Sequence, residues 1–79
     1  MPRYFFHIRS PDMFMPDEVG IELRDLDAAR AAAIQGARDI MAENLRAGRG
    51  VDHQRFEICD EAGNLDLVLT FRDVLPASE

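Results

Sequence analysis

Residues 26–47, LDAARAAAIQGARDIMAENLRA, predict one long amphipathic helix around which the rest of the chain must fold. Placed at about 100° per residue, its larger apolar side chains gather with two alanines in a stripe of roughly 140°. Alanine fills much of the remainder and favours helix, because it loses no side-chain entropy on folding. The helix therefore has one face to bury, and the rest of the chain must cover that face. The stripe consists of Leu26, Ala33, Ile34, Ala37, Ile40, Met41 and Leu45.

Both ends of this predicted helix carry residues that commonly begin and end helices. Asp25 is the expected N-cap, because its carboxylate can accept hydrogen bonds from the free amides of the first turn. Asp27 adds favourable negative charge at the same end. Arg46, followed by glycines at 48 and 50, is typical of a C-terminal end. These signals predict the helix bounds.

Two polar residues, Arg30 and Asn44, interrupt the apolar stripe. A buried Arg30 could hold an anionic ligand or a partner's carboxylate. The favoured interpretation is a stem packed across the rim of the core, with the guanidinium reaching water or a nearby acid. Asn44 is expected to make local hydrogen bonds near the end of the helix.

Four short segments alternate apolar with polar residues, as strands do, and they begin at Arg3, Val19, Gln54 and Leu65. Residues 61–64, Glu-Ala-Gly-Asn, predict the turn of a hairpin between the last two segments. The side chains expected to face the helix are Tyr4, Phe6, Ile8, Phe56, Ile58, Leu65, Leu67, Leu69 and Phe71. Val74 and Leu75 are expected to extend this packing, and Pro76 to begin a short tail.

The order of strand, strand, helix, strand, strand predicts a single α+β domain over residues 1–79. We expect a two-layer β-β-α-β-β sandwich, with one long helix packed on one face of a four-stranded, mainly antiparallel sheet. Two strand orders remain open. Placing the first strand beside the third keeps the sheet antiparallel, whereas the alternative joins the first and fourth strands in parallel at the centre.

A single helix covers one side of such a sheet, so the other side is predicted to be bare.

The segment SPDMFMPDEVG, residues 10–20, is predicted to be a loop or a wide hairpin turn with an unexpectedly apolar centre. That centre is either an exposed contact for a partner or, as favoured here, a lid over the open end of helix and sheet. The candidate interface residues are Phe5, His7, Cys59, Val68, Thr70, Met13, Phe14 and Met15.

Charge and composition exclude several classes of partner. Nine arginines and no lysine face fifteen acidic residues, and the formal charge of −6 argues against free nucleic acid and anionic membrane as partners. The single cysteine excludes an intramolecular disulfide and a cysteine-based zinc cluster. No apolar run approaches twenty residues, and the N-terminus lacks a signal-peptide pattern. We therefore expect a cytoplasmic protein.

Chemical motifs are weak in this sequence. His7 and His53 could meet Cys59, but no nucleophile motif fixes their distances. A metal site would need both histidines to converge with an acid such as Asp52 or Asp60, and their spacing is poor evidence for that. The sequence has no GxGxxG motif and no P-loop. We assign no catalytic, cofactor-binding or metal-binding residue, and we expect neither a cofactor nor an enzyme.

Four segments of the sequence are distinctive in combination. They are the opening MPRYFFHIR, the D-E-x-G-x-E-L segment at residues 17–23, the alanine-rich helix after Asp25, and the terminal strand pair around residues 60–63. With them the chain resembles a family of small bacterial proteins of unknown function that begin MPRYFF, common in rhizobia and their relatives. The likeness covers nearly the whole length. It implies a bacterial, cytoplasmic, stand-alone domain, and it assigns no functional residue.

These observations favour a non-enzymatic protein-interaction module that self-associates as a homodimer through the face or an edge strand of its sheet, with an unknown protein as a further partner. The competing interpretation is a monomer whose bare sheet face is solvated, and a dimer through the small residues of the helix is less favoured. A thin core in 79 residues makes self-association a reasonable way to bury more surface. The alternative is a nucleic-acid-binding or regulatory module, in which Phe5 stacks with bases and arginines of the bare face hold phosphates. One outward aromatic residue and the negative overall charge argue against that alternative.

Overall fold

A computed structural model describes residues 1–75 of the chain, so the predicted tail at Pro76 lies outside the described residues. The long helix and the strands predicted around it are present, which confirms the α+β class. The elements are β1 (Arg3–Ser10), β2 (Met13–Met15), β3 (Ile21–Glu22), α1 (Leu26–Arg46), β4 (Arg55–Cys59), β5 (Leu65–Thr70) and a 3-10 helix (Phe71–Val74).

Within residues 1–75 the sheet has five strands rather than four, in the order β2-β1-β4-β5, with β3 also paired to β1. Every pairing is antiparallel. The first and third predicted strands, β1 and β4, are adjacent, with Phe6 opposite Ile58. Of the two strand orders left open by the sequence, the antiparallel one is therefore correct, and the parallel alternative is wrong.

The second and third strands, β2 and β3, differ from the prediction. Met13–Met15 is not a loop but a short strand, which joins β1 through a tight turn that pairs Ser10 with Met13. The strand predicted from Val19 onward is reduced to Ile21–Glu22. Gly20 has φ of 74°, which breaks the extended backbone just before that strand.

The core lies between α1 and the inner face of β1, β4 and β5. Three alanines one turn apart, Ala29, Ala33 and Ala37, let the helix approach the sheet closely and are fully buried. The Phe56 ring meets Phe6 and Phe71 edge to face, with centroid distances of 5.8 and 5.1 Å. The other buried apolar residues are Tyr4, Met41, Ile58, Leu69 and Val74.

This packing confirms which alternate side chains of β1 and β4 face the helix. For the end of the chain, the prediction is corrected. Leu65, expected to be buried, is 57% exposed. A register shift between Ile58 and Cys59 pairs Cys59 with Leu65, so the alternation changes at that point. Phe71 is fully buried, but it lies in the 3-10 helix and not in a strand. Leu75, expected to pack inward, is exposed.

The helix ends are as predicted. The Asp25 carboxylate accepts a hydrogen bond from the Ala28 amide at 2.9 Å, and Gly48 adopts φ of 74° just past the last turn. Leu26 and Leu45, expected within the buried stripe, are exposed at the two ends of the helix.

The two polar residues of the stripe have different environments. Asn44 is buried, and its Nδ2 donates to Oε1 of Gln54 at 3.1 Å, which confirms the predicted local hydrogen bonding. Its backbone carbonyl accepts the amide of Arg49 at 2.8 Å. Arg30 is exposed, so it is not the buried arginine of the functional interpretation.

Candidate interaction surface on the sheet

The side of the sheet opposite α1 is called the outer face. Strand register places Phe5 opposite Cys59, Glu57 between His7 and Val68, and Arg55 opposite Thr70. Five of the eight candidate interface residues therefore share this face: Phe5, His7, Cys59, Val68 and Thr70. Val68 is 46% exposed, and the other four are half-buried.

Alternation along β2 divides the apolar Met13–Met15 segment between two surfaces. Phe14 joins the outer face, because its ring centroid lies 5.5 Å from that of His7 and 4.4 Å from Cζ of Arg9. Met13 and Met15 line an open groove of about 510 Å³ between β2 and the C-terminal part of α1. All three residues are exposed, so the segment does not close over the core as the favoured lid interpretation required.

In the middle of the outer face, two positively charged arginines share a single carboxylate, so one positive charge is left over. Oε2 of Glu57 accepts from Nε of Arg9 at 2.8 Å and from Nη2 of Arg55 at 3.0 Å. Burial raises the pKa of Glu57, but the hydrogen bonds and positive charges of the two arginines lower this pKa by more, so the net shift is downward. The carboxylate therefore remains ionised at neutral pH and holds both arginine side chains on the outer face.

Aromatic rings form a row beside this charged cluster. The rings of Phe5 and His7 are nearly parallel, at 13°, with centroids 6.5 Å apart. Phe14 continues the row from His7, and the guanidinium of Arg9 lies over it as a cation–π pair. The outer face thus presents flat apolar groups next to charges that already have partners.

Asp17 closes the edge of β1 beside this row, a role that was not predicted from the sequence. Its Oδ2 accepts the Phe6 amide at 3.0 Å, while its own amide donates to Nδ1 of His7 at 2.9 Å. Its Oδ1 accepts the amides of Val19 and Gly20 at 3.0 and 3.1 Å. The carboxylate fills the gap between β2 and β3 along β1. An aspartate three residues before a glycine is a typical turn signal that could have identified it.

Gly20 lies against the same row. A Cβ at this position would lie 2.9 Å from Cγ of Arg3 and from Cε2 of Phe5, and φ is positive. The residue must therefore be glycine for the Asp17 turn to pack on β1. Arg3 secures the turn from the other side, since its Nη1 donates to the carbonyl of Val19 at 3.0 Å.

The residues considered for chemistry do not form a site within residues 1–75. Burial and the carboxylates of Glu57, Asp66 and Asp60 raise the pKa of the Cys59 thiol, which disfavours the nucleophilic thiolate. His7 is bound to the Asp17 turn on the outer face. Over the described part of the chain, no group of three or more His, Cys, Asp and Glu residues is arranged to hold a metal ion.

No helix in residues 1–75 combines the length and the apolar character needed to span a membrane.

Fold and surface together define a small α+β domain with a covered inner sheet face and an uncovered outer one. The chain belongs to the family described as a domain of unknown function (DUF6894), which matches residues 3–72, from the start of β1 into the 3-10 helix. Comparison with curated proteins found no match, and comparison with solved structures found none either. The match confirms the resemblance to a family of unknown function.

Proposed function

We propose that this protein is a non-enzymatic protein-interaction module that forms a homodimer through its outer face. The observation that carries the proposal is the row of Phe5, His7 and Phe14 beside the Glu57 cluster on an uncovered sheet. A protein surface that places aromatic rings next to exposed aliphatic residues favours association. Val68 extends the apolar part of this face toward β5.

Covering the charged residues of the outer face should cost less free energy than their number suggests. Glu57 is already paired with Arg9 and Arg55, and its side chain is only 17% exposed. Covering a charge that is already paired costs less free energy than covering an isolated one. A second copy could therefore cover this cluster without leaving Glu57 unpaired.

The dimensions of the molecule agree with an ordinary interface. The Cα extents are 36 × 29 × 17 Å, so the protein is thin in one direction and broad in the other two. An interface of standard size takes about 800 Å² from each partner, which a broad face of this size accommodates. Two outer faces packed together would form a four-layer α-β-β-α assembly with the sheets about 10 Å apart.

The competing hypothesis of nucleic-acid binding is weakened because four arginines on or near the sheet already lie within ion-pair distance of an acid. Arg9 and Arg55 hold Glu57, Arg3 lies 3.4 Å from Glu22, and Arg24 lies 3.4 Å from Asp25. A phosphate would have to displace an acid at each of these positions. Retention on immobilised single-stranded DNA at low salt would support this competing class over the dimer.

Sedimentation or light scattering at micromolar concentration tests the proposal. We expect a mass of twice the 8.9 kDa of the chain. Replacing Phe14→Glu puts a charge on the outer face and should give a monomer, whereas Leu45→Glu should leave the dimer intact. Leu45 is a suitable control because it is exposed on α1, in the other layer. A monomeric wild-type protein, or a dimer unaffected by Phe14→Glu, would contradict the proposal.

A further inference from the structure

One free edge of the sheet is β5, and part of its backbone points toward solvent. The Phe71 amide donates to the carbonyl of Gln54 at 3.0 Å, which marks this pair as hydrogen-bonded in the register of β4 and β5. Hydrogen-bonded and non-hydrogen-bonded pairs alternate along an antiparallel ladder. Val68, three residues before Phe71, therefore directs its N–H and C=O away from β4, and Thr70 directs its N–H the same way.

The opposite edge of the sheet is formed by two strands of only three and two residues, so β5 is the longest edge strand among residues 1–75. Along β1, that edge is covered by β2, β3 and the Asp17 carboxylate, and β2 itself has only three residues. β5 has six residues, LDLVLT, and Asp66 is its single charge. Natural sheets usually protect an open edge with lysine, proline or a bulge in the strand. β5 carries neither proline nor lysine, and its register shift lies at its first residues, away from Val68.

Two arginines of α1 border the same edge. Arg30 and Arg38 line an open cavity of about 360 Å³ together with Val68 and Leu69 of β5. Neither arginine lies within ion-pair distance of an acid in residues 1–75. Asp73 borders the cavity, but its carboxylate accepts a hydrogen bond from the Thr70 hydroxyl. The rim beside the open edge therefore carries two arginine charges against the one negative charge of Asp73, on a protein that is acidic overall.

We propose that β5 binds an extended acidic segment of another protein by strand addition. The backbone of the incoming strand pairs with Val68 and with the Thr70 amide, and its acidic side chains on the helix side pair with Arg30 and Arg38. Main-chain pairing supplies affinity in this binding mode, and side-chain contacts supply selectivity. The proposal uses the backbone edge of β5 and the helix side of the sheet rather than the outer face itself, although the side chains of Val68 and Thr70 belong to that face.

Charge argues against a second copy of this chain at the same edge. Antiparallel pairing of β5 with itself about a two-fold axis would place both helices on one side of the extended sheet. Arg30 and Arg38 of each copy would then approach those of the other, which is electrostatically unfavourable. The occupant that suits this edge is a strand carrying negative charge.

Fluorescence anisotropy with a labelled synthetic peptide of alternating valine and glutamate tests the proposal on the full chain. We expect this peptide to bind at low salt, and a peptide of alternating valine and lysine not to bind. The double replacement Arg30→Glu and Arg38→Glu should reverse the preference between the two peptides. Failure of the glutamate peptide to bind, or equal binding of both peptides, would overturn the proposal.

A backbone variant tests the strand pairing itself. Val68→Pro removes an N–H that points away from β4, so the existing ladder is retained and binding should weaken about tenfold. Val68→Thr keeps the N–H and serves as the matched control with unchanged binding. Undiminished binding to a folded Val68→Pro variant would contradict strand addition, as would displacement of the peptide by single-stranded oligonucleotide.

If Val68→Pro does not fold, the reversed peptide preference of the double arginine variant decides whether this edge binds an acidic strand. Phe14→Glu should leave peptide binding unchanged, which separates this test from that of the dimer.

Discussion

The carboxylate of Asp17 accepts the backbone amide of Phe6 at 3.0 Å and thereby takes the place of a strand in the gap between β2 and β3. The same carboxylate accepts two amides of its own turn, at Val19 and Gly20. One side chain therefore completes the edge of β1 and fixes the turn beside the outer face. The D-E-x-G-x-E-L segment has a structural role in this fold.

Asp17→Ala should destabilise the protein by about 1–3 kcal/mol, because the half-buried Phe6 amide and the turn amides lose a charged acceptor. Glu18→Ala, at the exposed neighbouring position, is the matched control and should change the free energy of unfolding by less than about 0.5 kcal/mol. Urea unfolding measures both values. Equal stability of the two variants would show that the Asp17 carboxylate does not hold the edge.

The contribution of Asp17 should depend on pH. Burial raises the pKa of this carboxyl, and hydrogen bonds from the amides of Phe6, Gly20 and Val19 lower it by more, so the folded-state pKa lies below the ordinary value. A depressed folded-state pKa gives stability that is complete above the unfolded pKa and is lost as pH falls through the folded pKa. The stability difference between wild type and Asp17→Asn should therefore shrink below about pH 4. A difference that stays constant through this range would contradict the assignment.

Glu57 and Arg55 should be energetically coupled. A double-mutant cycle with Glu57→Gln and Arg55→Gln should give a coupling energy of about 0.5–1 kcal/mol, since the arginine is partly exposed and screened. The exposed pair of Arg46 and Glu43 on α1 provides the comparison and should couple more weakly. Thermal or urea unfolding gives all four stabilities of each cycle. A coupling energy no larger than that of the Arg46–Glu43 pair would show that the Glu57 cluster does not organise the outer face.

Two residues with the same predicted environment should differ sharply in their effect on stability. Phe71→Ala should cost about 3–5 kcal/mol, because the ring is fully buried against Phe56. Leu65→Ala should cost less than about 1 kcal/mol, because its side chain is 57% exposed beyond the register shift. Denaturant midpoints of the two variants make the comparison. Similar losses would mean that Leu65 is packed in the core.

Local periodicity predicted much of this fold. Alternation predicted the burial of Tyr4, Phe56 and Ile58, and the alanine-rich segment predicted α1 together with its Asp25 cap. These features depend on residues close together in the sequence, where a period of two or of 3.6 residues identifies the structure.

The features that sequence reasoning missed depend on pairing between distant segments. β2 has three residues, too few to establish an alternation, and it forms because β1 provides its partner. The register shift opposite Leu65 arises between two strands and leaves no mark within either one. The role of Asp17 depends on the gap between β2 and β3, and the open edge of β5 depends on strand order.

Cys59 provides the most direct measurement of the proposed outer-face dimer. It is the single cysteine of the chain, half-buried on the outer face opposite Phe5. Its alkylation rate should fall as protein concentration rises through the dimer transition, and Phe14→Glu should remove that dependence. If light scattering reports a dimer but the alkylation rate does not change with protein concentration, the interface lies elsewhere and the outer-face dimer is contradicted.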